Sequence, residues 1–198
     1  IEECMIAANE AVAEFLRDRE EPCLYRVHPA PDSDKLETLF RLLAQTDLAE
    51  DLPQETGPKE LQELLTRVEG GKLEFLVNRL LLRTMMQAYY SPKNEGHFGL
   101  ASECYCHFTS PIRRYADLVV HRYLKRTLAG DSAGKTNIKR LTKVADHISQ
   151  QERRAMEAER EILKRLTILF LRDHVGRAFT GVVSSLADFG FWVELEEV

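Results

Sequence analysis

Residues 107–122 read HFTSPIRRYADLVVHR. Pro111 suits the first position of a helix, where its missing N–H costs nothing, and Ser110 or Thr109 can cap the orphan N–H groups of a first turn. The spacing predicts a helix over about 110–128, with Ile112, Tyr115, Ala116, Val119 and Tyr123 facing a core. Arg113, Asp117 and His121 then form an i, i+4 row beside that face, and Arg114 points outward. Positive charge is the wrong sign for a helix start, which the macrodipole already makes positive. Two arginines there suit a bound anion, because free N–H groups, the dipole and a guanidinium fork together make a phosphate site. The competing reading is a solvated helix laced by weak salt bridges. Spacing alone leaves both open.

Working outward, residues 1–19 are predicted helical, with Met5, Ala8, Val12, Phe15 and Leu16 on one face and Glu3, Glu10 and Glu14 opposite. Glu2 and Asn9 flank that stripe. After the extended YRVHPAPDS come helical segments at roughly 33–46, 58–69 and 72–90, separated by Pro53, Gly57-Pro58 and Gly70-Gly71. Residues 91–100 read as a loop, and so does LAGDSAGKTN at 128–137. A long helix follows, from about 136 to 173, with an apolar stripe of Leu141, Ala145, Ile148, Ala155, Ile162, Leu166 and Leu169. Glu152 and Glu159 fall in that stripe, where a carboxylate needs a partner or a wet channel. From Val175 the pattern shortens to that of strands, punctuated by Gly176, Gly181 and Gly190. Two or three strands are too few for an independent β domain.

Composition bounds the function classes. The net charge of −5 hides a gradient: residues 1–60 hold 15 acidic against 6 basic side chains, residues 61–198 hold 17 against 21. Local rather than net charge draws a ligand, so the basic part is compatible with a polyanion. No run of about 18 apolar residues is present to span a membrane. The start, IEECMIAANE, lacks the pattern of a signal peptide and suggests an internal fragment of a longer chain in the cytoplasm. Cys4, Cys23, Cys104 and Cys106 are unevenly spaced and are expected as free thiols. Cys104-x-Cys106-His107, with His97 nearby, does not have the spacing of a structural zinc pair, so no metal is assigned to these residues.

GHFGLASECYCHFTSPIRRYADLVVHR resembles the signature of the RNB family, the processive 3′-to-5′ exoribonucleases of the ribonuclease II and ribonuclease R type. IEECMIAAN, YRVHPAPDSDKLETL, LLRTMMQAYYSPKNEGHFGLA and AEREILKRLTILFLRD resemble further family stretches in the same order, and the YSP and GHFGLA wording lies nearer the ribonuclease R branch. VGRAFTGVVSSLADFGFWVEL is similar to the start of an OB fold of the ribosomal S-one type. The fold implied is mainly α, with 1–174 as the C-terminal portion of an RNB catalytic domain. A truncated β segment, 175–198, would be the first strands of an OB-fold barrel.

The resemblance also implies a chemistry. Single-stranded RNA enters a channel 3′ end first, and Mg²⁺ held by aspartates activates water to release nucleoside 5′-monophosphates. Arg113 matches the family arginine at the scissile phosphate. One of Glu2 and Glu3 matches a glutamate near the terminal nucleotide, and helical spacing favours Glu2. Glu159 matches another glutamate close to RNA. Asn9, Ser110, Arg114, His121 and Arg122 are further expected RNA contacts, although His121 also sits where it can pair with Asp117. Phe189 and Trp192 are core residues or, as in the OB fold they resemble, outward platforms for bases. The family's metal-binding aspartates are expected upstream of Ile1; Asp32 and Asp34 stand without supporting ligands. Two alternatives remain, a non-catalytic RNA-binding relative and a helical scaffold for an acidic protein partner.

Overall fold

The computed structural model describes residues 1–131 and 138–195. The expected loop at 128–137 lies mostly outside the described residues. The chain divides into two units, Ile1–Ser149 and Gln150–Val198, well ahead of the change in residue pattern at 175.

In the first unit α1 spans Glu2–Arg17, its two acidic residues in the first turn complementing the helix dipole. A short strand β1, Tyr25–Val27, follows. Helices α2 (Ser33–Leu43), α3 (Pro58–Val68) and α4 (Glu74–Thr84) come next. Asp32 caps α2 by accepting the Lys35 N–H at 3.2 Å, and Pro58 occupies the first turn of α3. The predicted helix at 72–90 stops at Thr84. Residues Tyr89–Ser91 instead form β2, antiparallel to β1 with Arg26 opposite Tyr90. Aromatic residues at 89–90 fit a half-buried pleated surface as well as a helix, and pairing with a strand over 60 residues earlier decides for the sheet. On its other edge β1 is joined by the segment at 105–106, where Arg26 N–H donates to the Tyr105 carbonyl at 2.9 Å.

Helix α5 spans Tyr115–Leu128, and the long helix α6 spans Ile138–Arg172. Two apolar cores result. One gathers Leu16, Leu24, Val27, Tyr90, Cys106, Val120 and Leu141 from both ends of the unit. The other is local to α2–α4, built on Leu36, Leu39, Leu64, Val77 and Leu81. All four cysteines are free thiols, as expected, and Cys23, Cys104 and Cys106 are buried. Burial pushes the Cys104 thiol up to about 11 and that of Cys23 up as well, which keeps both protonated and unreactive.

The second unit holds the remainder of α6 and a hairpin, β3 (Gly181–Ala187) and β4 (Gly190–Leu195), paired antiparallel with an irregularity between Val183 and Ser185. The protein is thus mainly α with short antiparallel strand pairs, and among the described residues no barrel closes. Of the stripe on α6, Leu141 and Ala145 are buried and Ile148 packs half-buried against the first core. Ile162, Leu166 and Leu169 are exposed, so the stripe meets no cover within its own unit. Among the described residues no helix is long and apolar enough to cross a membrane.

Candidate functional site

The helix predicted from Ser110 onward starts five residues late, at Tyr115. Arg114 is its N-cap, with extended backbone, and residues 111–113 form a turn in which the N–H groups of Arg113 and Arg114 donate to the Ser110 carbonyl at 3.3 and 3.1 Å. The reason lies at Asp117, which is 0% exposed. Its Oδ1 accepts the Ser110 N–H at 2.7 Å and Nη2 of Arg114 at 2.8 Å; its Oδ2 accepts Nε of Arg114 at 2.8 Å. A carboxylate buried in the first turn captures both flanks of the turn, and the capping that Ser110 could have offered is replaced.

This overturns the expected arrangement of the two arginines. Arg114, expected to face outward, turns in and its side chain is only 19% exposed; two of its nitrogens are spent on Asp117. Arg113 is exposed, and no row links it to Asp117. Ile112, expected in the core, is 101% exposed, and Tyr115 is exposed too. The tip of the turn therefore presents Arg113 beside an apolar side chain with no burial of its own.

The residues ahead of the turn are held from two sides. Asn9 is 3% exposed rather than at the edge of its helix. Its Oδ1 accepts the N–H groups of Phe108 and Thr109 at 2.9 and 3.2 Å, and its Nδ2 donates to the Tyr105 hydroxyl at 2.9 Å. Both ends of the amide are engaged inside the fold, so Asn9 stands as a buried clamp between α1 and residues 105–109, not at a surface where a ligand could reach it. A polar residue at the spacing of Val12, Ala13 and Leu16 was the sequence signal for this. His121 does not pair with Asp117. Its Nε2 lies 2.9 Å from the Phe108 carbonyl, and its ring stacks on Phe108 with centroids 4.2 Å apart.

Behind the clamp lies a chain of rings that includes His97 and His107, the two histidines near the cysteine pair. His107 Nδ1 is 2.9 Å from the Tyr90 hydroxyl, and Tyr105 makes edge contacts with both His107 and His97. Burial pushes His107 down to about 3, helped by the charges of Arg114 and Arg26, and pushes His97 down to about 4, helped by His28. Both imidazoles are neutral at physiological pH and serve packing rather than charge.

The other expected contacts are distributed as follows. Ser110 is half-buried, with its N–H committed to Asp117, while Arg122, Glu2 and Glu3 are exposed. In the second unit Glu159 is exposed on α6, and the hairpin exposes Phe189 (85%) and Trp192 (50%), whose rings meet edge to face at 5.5 Å. Neither aromatic is a core residue of the hairpin. Among the described residues no group of three or more His, Cys, Asp or Glu is placed to hold a metal ion. Asp32 is engaged as a cap and Asp34 lies in the first turn of α2.

Comparison with known proteins bears on this geometry. The sequence profile of the RNB domain matches residues 1–130. The chain is 46% identical over 198 residues to ribonuclease R of Aquifex aeolicus, covering 100% of this chain and 28% of that relative. Its fold is similar to that of Mycoplasma genitalium RNase R solved in complex with ribose methylated single-stranded RNA, with TM-score 0.87, 31% identity, and coverage of 99% of this chain and 32% of that one. It is also similar to yeast Ssd1, described as a pseudonuclease, with TM-score 0.64, 27% identity, and coverage of 74% of this chain and 18% of that one. The chain spans about a quarter of the length of the curated relatives it matches.

Proposed function

The chain belongs to the RNB domain family, and on that premise we propose that it forms the C-terminal portion of the catalytic domain of a processive 3′-to-5′ exoribonuclease acting on single-stranded RNA in the cytoplasm. The observation that carries this reading is the internally braced turn at 110–114, which exposes the Arg113 guanidinium. A planar fork suits a phosphate, and a fixed cation stabilises charge that develops on the phosphoryl group as the bond to the leaving nucleotide breaks. Glu2 and Glu159 supply polar contacts to RNA, together with Ser110 and Arg122. Residues 175–198 begin an OB-fold RNA-binding domain in which Phe189 and Trp192 offer faces for bases.

Mg²⁺ is the cofactor expected of such an enzyme. The carboxylates of this chain do not fit it: among the described residues none converge in the number a metal needs, and Asp32 is taken by its capping bond. The ligands belong, on this reading, to a segment upstream of Ile1. In the full-length protein, Arg113→Ala is expected to lower kcat at least about a hundredfold with RNA affinity nearly kept, the pattern of an interaction made mainly in the transition state. Unchanged kcat would remove the assignment.

A second reading is favoured by the likeness to a pseudonuclease, namely a relative that grips RNA without cutting it. Incubation of the full-length protein with labelled single-stranded RNA and Mg²⁺ separates the two: released nucleoside monophosphates support the first, and retained intact RNA the second.

A further inference from the structure

The turn that carries Arg113 has little to hold its tip. Ile112 is fully exposed and adds no packing, and the backbone bonds to the Ser110 carbonyl close the turn only from within. What fixes it to the fold is Asp117. One buried carboxylate takes an N–H from residue 110, before the tip, and a two-pronged contact from residue 114, after it, all three bonds lying at 2.7–2.8 Å.

We infer that Asp117 is a positioning residue for the reaction: through Ser110 and Arg114 it sets the place and aim of Arg113 before substrate arrives. The inference rests on the proposed role of Arg113. Two anchors on either side of a three-residue tip leave it few ways to move, and a misplacement of about 1 Å in a group that meets the reacting phosphate costs on the order of a hundredfold in rate. Arg114, on this account, acts through Asp117. Its fork is needed because a lysine point charge cannot bond both carboxylate oxygens in fixed geometry.

The test is a cycle of variants in the full-length protein, assayed by release of nucleotides from a labelled single-stranded RNA oligonucleotide with Mg²⁺. Arg114→Lys, which keeps the charge beside Asp117, is expected to lower kcat about tenfold or more and leave KM within about twofold. Arg113→Ala combined with Arg114→Lys is expected to be no slower than Arg113→Ala alone, because a residue that acts through Arg113 has nothing left to position. Asp117→Asn, of equal size, is the second variant and is expected to show the same non-additivity, with thermal unfolding run beside it. Losses that multiply in the combined variant overturn the inference, and so does a rise in KM at Arg114→Lys with kcat kept, which marks Arg114 as an RNA contact. No effect of Arg113→Ala overturns the proposed function and this inference together. A large effect there, with none at Arg114→Lys, overturns the inference alone.

Discussion

Removing the Arg114 side chain tests the buried pair directly. Asp117 is wholly buried and Arg114 only partly exposed, and taking one partner from a buried pair leaves a stranded charge, at a cost of about 3–5 kcal/mol. The Ser110 N–H remains on Oδ1 and water can reach the emptied space from the exposed side, which places Arg114→Ala toward the lower end, about 3 kcal/mol. With a urea dependence of about 1–3 kcal/mol per molar for a small domain, the unfolding midpoint of the 198-residue chain should drop by roughly 1–3 M at unchanged slope. Changing Arg114 and Asp117 together to leucine should recover part of the loss, since no charge is then buried alone. The outward placement of Arg114 that helical spacing predicts makes the single change almost neutral. A loss below about 1 kcal/mol, or a double variant weaker than the single one, would refute the reasoning.

Three further outcomes are expected. Phe189→Ala with Trp192→Ala should leave the fold intact, because both rings are exposed, and should weaken RNA capture by the full-length protein by about 1–3 kcal/mol per lost stack; filter binding of an oligonucleotide reads this, and unchanged affinity removes the platform. His97 and His107 are held below their ordinary value, so the unfolded chain takes up protons first as pH falls. Their stabilisation is complete above about pH 6.5 and is lost on the way down toward about 4 for His97 and 3 for His107. The thermal midpoint should therefore fall between pH 7 and pH 5, before carboxylates titrate, and a flat profile there contradicts the burial argument. The 198-residue chain alone with Mg²⁺ should release no nucleoside monophosphates, since Arg113, Glu2 and Glu159 cannot replace carboxylates that hold a metal; release by material free of contaminating nuclease would show otherwise.

Much of the helical frame could be read from residue order. The bounds of α1, α2, α3 and α6 follow from apolar periodicity, from Asp32 as a cap and from Pro58 at a helix start, all of which are local signals. The hairpin at 181–195 follows from its glycines and β-branched residues in the same way. What failed were choices decided by particular strand or side-chain partners, which periodicity does not carry. Tyr89 and Tyr90 are strand residues because β1 pairs with them, and MMQAYY carries no mark of that. The start of α5 was misplaced because a Ser-Pro pair looks like a helix start from within, while Asp117 settles the matter through side-chain bonds to Ser110 and Arg114. That error reversed the two arginines. The family pattern, and not helical geometry, is what points to Arg113 as the arginine for the phosphate, and the clamp at Asn9 escaped notice because its partners lie in another part of the chain.

The span of those contacts has a consequence for how the molecule assembles. Tyr105, Phe108 and Thr109 meet Asn9 across 96 to 100 residues of chain, so α1 cannot settle until that length of sequence has followed it. Closing so long a loop is paid in chain entropy before any bond returns it, which slows formation of the core at that end. Helices α2–α4 lie inside the same loop with a core of their own and need no such closure. During synthesis they are free to form while α1 waits, and residues 105–109, just ahead of the turn bearing Arg113, are clamped only when the two ends of the loop meet.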